Sequence, residues 1–433
     1  MLKKAIFWCL VVSLSVVVTG SLAKSFGTSQ RTGLVPLEDF FRNPEKTGFQ
    51  ISPDGKHIAY LKPWRSRLNV YVQKTDEEKA MRITEATVRD IAWYGWANNK
   101  RIGYVMDKDG DENWHGYAVD IDGSNYKELT PFKDVQTRLV DELEDDDDHV
   151  LISLNKRDRR IFDVYRLNVN TGTLALVAEN PGTVTHWLAD NQGKLRIAVA
   201  VEGLDTTLLY RKTEADPFKA IITTDFKSSF WPLFFAFDNK YLYVSSNIGR
   251  DKRAIYKYDI ENRKHQELIY EHPEVDVGHL LRSKKRKVIT GVSFITDKRN
   301  YHFFDQNRKE LQNTLERKLP GYEVAVTNMS KDETKMIVRT YTDKSRGAYY
   351  FYDRSSAAFR KLAHVSPWLN EDNMADMKPI QYQSRDGLTI HGYLTLPKGV
   401  ELKNLPVVVN PHGGPWARNR WGFNPEVQFL ANR

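Results

Sequence analysis

A chain of 433 residues exceeds what one compact core usually holds, so several domains or a repeat architecture is expected. Its 41% hydrophobic, 28% charged and 12% aromatic residues are those of a folded protein, and β-branched runs between turn residues favour strands. The formal charge of +8 is interspersed with acids and gives no argument for nucleic acid as a partner.

The first residues read as an export signal. Lys3 and Lys4 precede an apolar stretch from Ala5 to Val18, too short for an ordinary membrane span, and Ser21-Leu22-Ala23 offers small residues for cleavage after Ala23. Residues 1–23 are therefore expected to be a signal peptide and the mature protein to be periplasmic or extracellular, without a stable membrane anchor. An uncleaved N-terminal anchor is the alternative. Cys9 lies inside this leader and is the single cysteine, so the mature chain can have no disulfide, Cys nucleophile or cysteine metal site. Losing Lys3 and Lys4 lowers the formal charge from +8 to +6. Residues 24–48 read as an N-terminal extension outside any repeat, with a short helix around Leu37 to Phe41.

From residue 49 to 365 the chain repeats. Short apolar strands begin at Ile58, Ile102, Val150, Ile197, Leu242, Val288 and Met336, at successive separations of 44, 48, 47, 45, 46 and 48 residues. Each follows a polar turn such as Ser52-Pro53-Asp54-Gly55, and each is followed by a strand rich in Tyr and Phe, such as Tyr349-Tyr350-Phe351-Tyr352. A period near 45 residues built from several short strands predicts the blades of an all-β propeller, and seven anchors predict seven blades. A long β-sandwich series is the competing architecture, but it does not enforce so even a period. Within this region Asp107, Asp109 and Asp111 open like a calcium loop. Glu112 and Ala118 stand where the loop needs Gly and Glu, so the pattern fails. The acidic run 145–148 and the basic run 282–287 read as solvated loops.

After His364 the pattern breaks. Ser384-Arg385-Asp386-Gly387 between two apolar runs predicts a hairpin, and Pro406-Val407-Val408-Val409-Asn410 a short buried strand running into Pro411-His412-Gly413-Gly414-Pro415. A strand ending in His-Gly-Gly is how α/β-hydrolases build half of an oxyanion hole. Two glycines let the backbone turn sharply and aim an N–H at developing negative charge. His412 itself reads as a structural turn residue rather than a catalytic base.

A seven-blade repeat, a Ser-x-Asp-Gly hairpin, a short strand and His-Gly-Gly-Pro together resemble the prolyl oligopeptidase family of serine peptidases. The continuation Trp416-Ala417-Arg418-Asn419-Arg420-Trp421-Gly422 is similar to its acylaminoacyl-peptidase or dipeptidyl-aminopeptidase-like branch, as are the segments 39–55 and 109–115. The resemblance covers essentially the whole mature chain. It implies that residues 366–433 open an α/β-hydrolase domain and that the substrates are short peptides or acyl-peptides cleaved through an acyl-enzyme. It also implies that the Gly413 and Gly414 backbone contributes to the oxyanion hole, that no cofactor or metal is needed, and that the propeller restricts entry to peptides. Arg418 and Arg420 are candidates for meeting a peptide carboxylate, with pairing to surface acids as the alternative. No Gly-x-Ser-x-Gly elbow occurs in residues 1–433. Ser, Asp and His of the triad are therefore expected downstream of Arg433, and the chain alone is expected to be inactive. A stand-alone exported propeller that binds a partner, with a vestigial hydrolase segment, is the alternative. The hydrolase strands, lacking their neighbours, are expected to leave the chain from Ile380 to Arg433 loose and open to proteolysis.

Overall fold

The computed structural model describes residues 33–414 and 416–433; the expected leader lies outside them. Seven sheets, each contiguous in sequence, follow one another at residues 47–82, 93–128, 137–178, 184–224, 230–270, 277–303 and 323–364. Six are four-stranded antiparallel meanders and the sixth has three strands. The predicted anchors all fall in the second strand of their sheet. Buried residues there run consecutively, as in Ile58–Leu61 and Ile197–Ala200. A strand with both faces covered by neighbouring blades loses the usual alternation. At the rim the opposite holds: the outer strand Lys264–Tyr270 is exposed over most of its length. This burial gradient is that of a seven-bladed β-propeller.

First strands of neighbouring blades touch one another. Thr137–Asp141 meets Val184–Ala189, which meets Phe230–Phe235, and Thr47–Ile51 meets Glu323–Met329. They form the inner ring around the propeller axis.

The ring closes without exchange of a strand, because blades 1 and 7 are each built from one continuous stretch. What joins them is a shared core of Phe49, Ile51, Ile58, Tyr60, Ile337, Tyr349 and Phe351. Phe49 lies 4.8 Å from the Tyr60 ring and 4.9 Å from Tyr349. Polar ties flank it. The Ile51 N–H donates to Asn328 Oδ1 at 2.7 Å, the Lys331 N–H to the Pro53 carbonyl at 2.8 Å, and Lys335 Nζ to the Gly55 carbonyl at 3.1 Å.

Before the first blade, helix α1 (Leu37–Phe41) occupies the position expected for it, and the first strand begins at Thr47. The repeat predicts no helix within the blades, yet α2 spans Gln306–Lys318. It follows the third strand of blade 6, which has no fourth strand, and seats Leu311 and Leu315 in the core of blade 7. The local signal is Asp305 as N-cap followed by leucines four apart. Asp305 accepts from the Arg308 N–H at 2.8 Å and takes both Arg286 nitrogens at 2.7 and 2.8 Å. These bonds, Arg286 foremost, hold its carboxyl below the usual range. A group depressed in this way stabilises above the unfolded carboxylate pKa of about 4 and loses that contribution as pH falls through its folded value. Asp305→Ala is expected to lower the urea-unfolding free energy by about 1–2 kcal/mol at pH 7, with the difference from wild type shrinking at pH 3. An equal difference at both pH values would show that the charge is not involved.

Candidate active site

Beyond blade 7 a 3₁₀ turn, Glu371–Asn373, leads into a hairpin of strands Met377–Gln383 and Thr389–Thr395 in unbroken register. Its tip follows from the sequence. Ser384 Oγ bonds the Asp386 carboxylate, the Ser384 N–H donates to the Leu388 carbonyl at 2.9 Å, and Gly387 takes φ +83°.

Residues 406–410 do not form the short strand that their composition suggests, and lie open as expected of a segment without its sheet neighbours. They pair with no other strand among the described residues, and Val407, Val408 and Val409 are 84%, 65% and 81% exposed. Three β-branched residues give strand propensity, but a strand is completed only by hydrogen bonds to a neighbour, and none lies within reach.

This run delivers the chain to the two glycines. Gly414 adopts φ +143°, and a Cβ there would lie 2.9 Å from the Trp416 nitrogen and 3.3 Å from Ala417. At Gly413 a Cβ would meet nothing within 4 Å, so the sharp turn depends on Gly414. Neither glycine N–H has a hydrogen-bond partner among the described residues. Both are exposed, and so remain available as donors. His412 turns its Nδ1 to the Gly413 carbonyl at 2.9 Å and bonds no carboxylate among the described residues, the geometry of a turn residue.

Arg418 is committed to the propeller. Its Nη1 donates to the Ile295 carbonyl at 2.8 Å and its Nη2 to the Thr296 carbonyl at 2.6 Å, both at the end of blade 6. Tyr393 of the hairpin reaches the same turn, donating to the Asp297 carbonyl at 2.5 Å. Lys298 sits over the Trp421 ring at 3.7 Å, and Trp421 Nε1 donates to the Met377 carbonyl at 2.9 Å. The glycine turn is thus held to blade 6 through Arg418, four residues downstream. Arg299 and Arg420 face His279 on the inner strand of this blade. Burial first, then these two cations, hold its imidazole pKa below the usual value, which favours the neutral form.

The end of the chain is tied to blade 7 and to α1, which corrects the looseness expected from Ile380 to Arg433 for its last residues, 425–433, while 406–410 stay open. Helix α3 (Pro425–Ala431) is capped by Asn424 and carries Gln428, which is 2% exposed. The Gln428 amide accepts from the Ala375 N–H at 2.9 Å and donates to the Asp343 and Ala375 carbonyls at 2.9 and 2.8 Å. Phe429 packs edge-on against Phe40 of α1 at 5.9 Å, and the Val35 N–H donates to Asn432 Oδ1 at 2.8 Å. Arg433 itself is held: its guanidinium lies over the Phe429 ring at 3.8 Å, and its Nη2 donates to the Val35 carbonyl at 3.1 Å. One buried amide that satisfies three backbone groups fixes the helix more firmly than its short length could. Nothing in the sequence signals this, because Gln428 differs from a surface glutamine only in what folds around it.

Asp107, first of the failed calcium pattern, is buried against Arg89 at 2.9 Å. Among the described residues no group of three or more His, Cys, Asp or Glu could hold a metal ion.

The chain is 29% identical over 419 residues to dipeptidyl aminopeptidase BIII of Pseudoxanthomonas mexicana, covering 93% of this chain and 60% of that protein. To dipeptidyl peptidase family member 6 of Caenorhabditis elegans it is 23% identical over 446 residues, covering 92% and 59%. It therefore spans about three-fifths of the length of these relatives. No family model matches. Among solved structures, a puromycin hydrolase aligns with TM-score 0.65 at 12% identity, covering 93% of this chain and 67% of that one. A puromycin-hydrolyzing peptidase of Mycobacterium tuberculosis aligns with TM-score 0.62 at 12% identity, covering 95% and 68%. A prolyl endopeptidase aligns with TM-score 0.60 at 11% identity, covering 86% and 56%. These structural likenesses carry the fold, the sequence likeness extends over more than nine-tenths of this chain, and together they support the resemblance to the prolyl oligopeptidase family.

Proposed function

We propose that this chain is the propeller-bearing part of an exported serine peptidase that hydrolyses short peptides or acyl-peptides through an acyl-enzyme. The observation that carries this reading is the pair of N–H groups at Gly413 and Gly414 that have no partner among the described residues, on a turn that Arg418 ties to blade 6. Donors fixed in place before reaction stabilise an oxyanion without reorganisation. On this reading Arg418 positions the turn, and its two carbonyl bonds leave it less free to meet a peptide carboxylate. Residues 1–433 hold no Gly-x-Ser-x-Gly, so nucleophile, base and acid belong downstream of Arg433. Export is supported by the lysine-led apolar leader alone.

The chain by itself is expected neither to react with a fluorophosphonate probe nor to release nitroaniline from dipeptidyl or acyl-peptide nitroanilides. Fused after Arg433 to the catalytic part of dipeptidyl aminopeptidase BIII, it is expected to support hydrolysis, and Gly414→Ala should then lower kcat about a hundredfold. Turnover by the unfused chain that a serine reagent abolishes would overturn the placement of the triad. An active fusion indifferent to Gly414→Ala would overturn the role of the turn.

A further inference from the structure

The turn that carries the acidic run 145–148 meets the basic run 282–287 in the folded ring, through Glu144 and Lys284. Each blade joins its first and second strands by a turn on the same face of the propeller. Six of these turns have four or five residues, and the seventh, 142–148 of blade 3, has seven. It leaves the end of an inner strand and carries Glu142, Glu144, Asp145, Asp146, Asp147 and Asp148. Blades 6 and 7 each stand three places from blade 3 in the ring, on the far side of the axis. Yet Glu144 Oε1 lies 2.5 Å from Lys284 Nζ of blade 6, and Asp145 Oδ1 lies 3.8 Å from Lys331 Nζ of blade 7. The loop therefore crosses the axial opening.

Its base is firmly held. Leu143, 5% exposed, packs in the core shared by blades 3 and 4, and its N–H donates to Asp141 Oδ1 at 2.8 Å. Asn98 of blade 2 donates to the Asp147 carbonyl at 2.8 Å. The tip is held differently, by ion pairs whose members are each roughly half or more exposed. Such pairs are individually weak and screened by salt. Glu142 stays reachable by water, yet protein surrounds it closely enough to push its carboxyl pKa up, and Lys284 opposes that shift. That is the setting of a side chain in a channel.

We propose that residues 142–148 are an ionic latch across the axial mouth, closed onto Lys284 and Lys331, which bars chain-sized molecules from entering the propeller from this face. The face is the one remote from the C-terminal segment, which docks on turns at the other ends of the strands, 296–298 and 342–347. Peptides would then reach the glycine turn from its own side. This consequence rests on the peptidase reading; the latch does not.

Hydrogen exchange on the full chain tests it. In Lys284→Gln/Lys331→Gln, amides of 142–148 are expected to exchange about tenfold faster than wild type at low salt, with the blades unchanged. Wild type should approach the variant at about 1 M salt, where screening acts within about 3 Å. Exchange in 142–148 that neither substitution nor salt alters would overturn the latch, as would an acceleration spread through all blades. Access is read with a thiol at Leu139, 41% exposed on the inner strand leading into the loop, in a Cys9→Ser background. Releasing the latch should speed labelling of Leu139→Cys by a polymer-linked maleimide more than by a small one. Equal effects on both would overturn the exclusion of large molecules.

Discussion

Phe49→Ala is expected to destabilise the propeller by about 3–5 kcal/mol, read as a lowered urea midpoint with nearly unchanged slope. Phe49 is 3% exposed and fills the seam between blades 1 and 7 against Tyr60 and Tyr349. Everywhere else in the ring, consecutive blades are also joined by the chain itself. Here they are joined by packing and a few hydrogen bonds, because no strand crosses the seam. A cavity at this place therefore removes contacts with no covalent substitute. A truncation of similar kind away from the seam, such as Leu195→Ala in the core shared by blades 3 and 4, should cost about 2–5 kcal/mol. It should leave exchange at the seam unchanged, whereas Phe49→Ala should speed exchange first in the strands Thr47–Ile51 and Glu323–Met329. Uniform exchange in both variants would mean that the seam is no weaker than any other blade boundary.

Gly347→Ala is expected to damage both blade 7 and the docking of the C-terminal segment. The position has φ +81°, and an added Cβ would fall 1.6 Å from the Thr340 carbonyl oxygen and 2.5 Å from its carbon. Those are backbone atoms of the paired strand and cannot swing away, so the loop must be rebuilt. Residues 342–347 also present the Asp343 carboxylate to the Met377 N–H at 2.7 Å and the Asp343 carbonyl to Gln428. We expect a loss of at least about 3 kcal/mol in global stability, the sum of left-handed strain and displaced packing. Release of α3 should appear as proteolysis within 399–433 at temperatures where wild type resists. Gly387→Ala is the control. Its φ of +83° is similar, but nothing lies within 4 Å of the added Cβ, so only the local conformational cost of about 1 kcal/mol remains. A Gly347 variant no worse than the Gly387 variant would show that the turn relaxes freely.

How far the fold is legible follows from where each constraint resides. The seven blades are visible because every one needs the same local items, a polar turn and two apolar strands, at the same spacing. The inner first strands do not stand out. Thr137–Asp141 and Glu323–Met329 are short and mixed in polarity, because one edge of each faces the axis rather than another sheet. Helix α2 is hidden although Asp305, Leu311 and Leu315 mark it. In the repeat its place belongs to the outer strand of blade 6, and the period masks the helical spacing. The glycine turn is legible from His412-Gly413-Gly414, since the positive φ at Gly414 is a property of the residue type itself.

Features that repeat or are local are written in the residues themselves: blade number, turn chemistry, the hairpin tip at Ser384–Gly387, the glycine turn. Pairs between distant residues are set by the assembled ring. Glu144 meets Lys284, 140 positions later, because a seven-membered ring sets blades 3 and 6 across one axis. Gln428 is buried because the turn at Asp343 and the chain at Ala375 offer it complementary backbone groups. Arg433 meets Val35, from the opposite end of the described chain, because α1 and α3 pack together beside blade 7. Val407 to Val409 have the composition of a buried strand and lie exposed, because a strand is completed by neighbours and not by its own side chains.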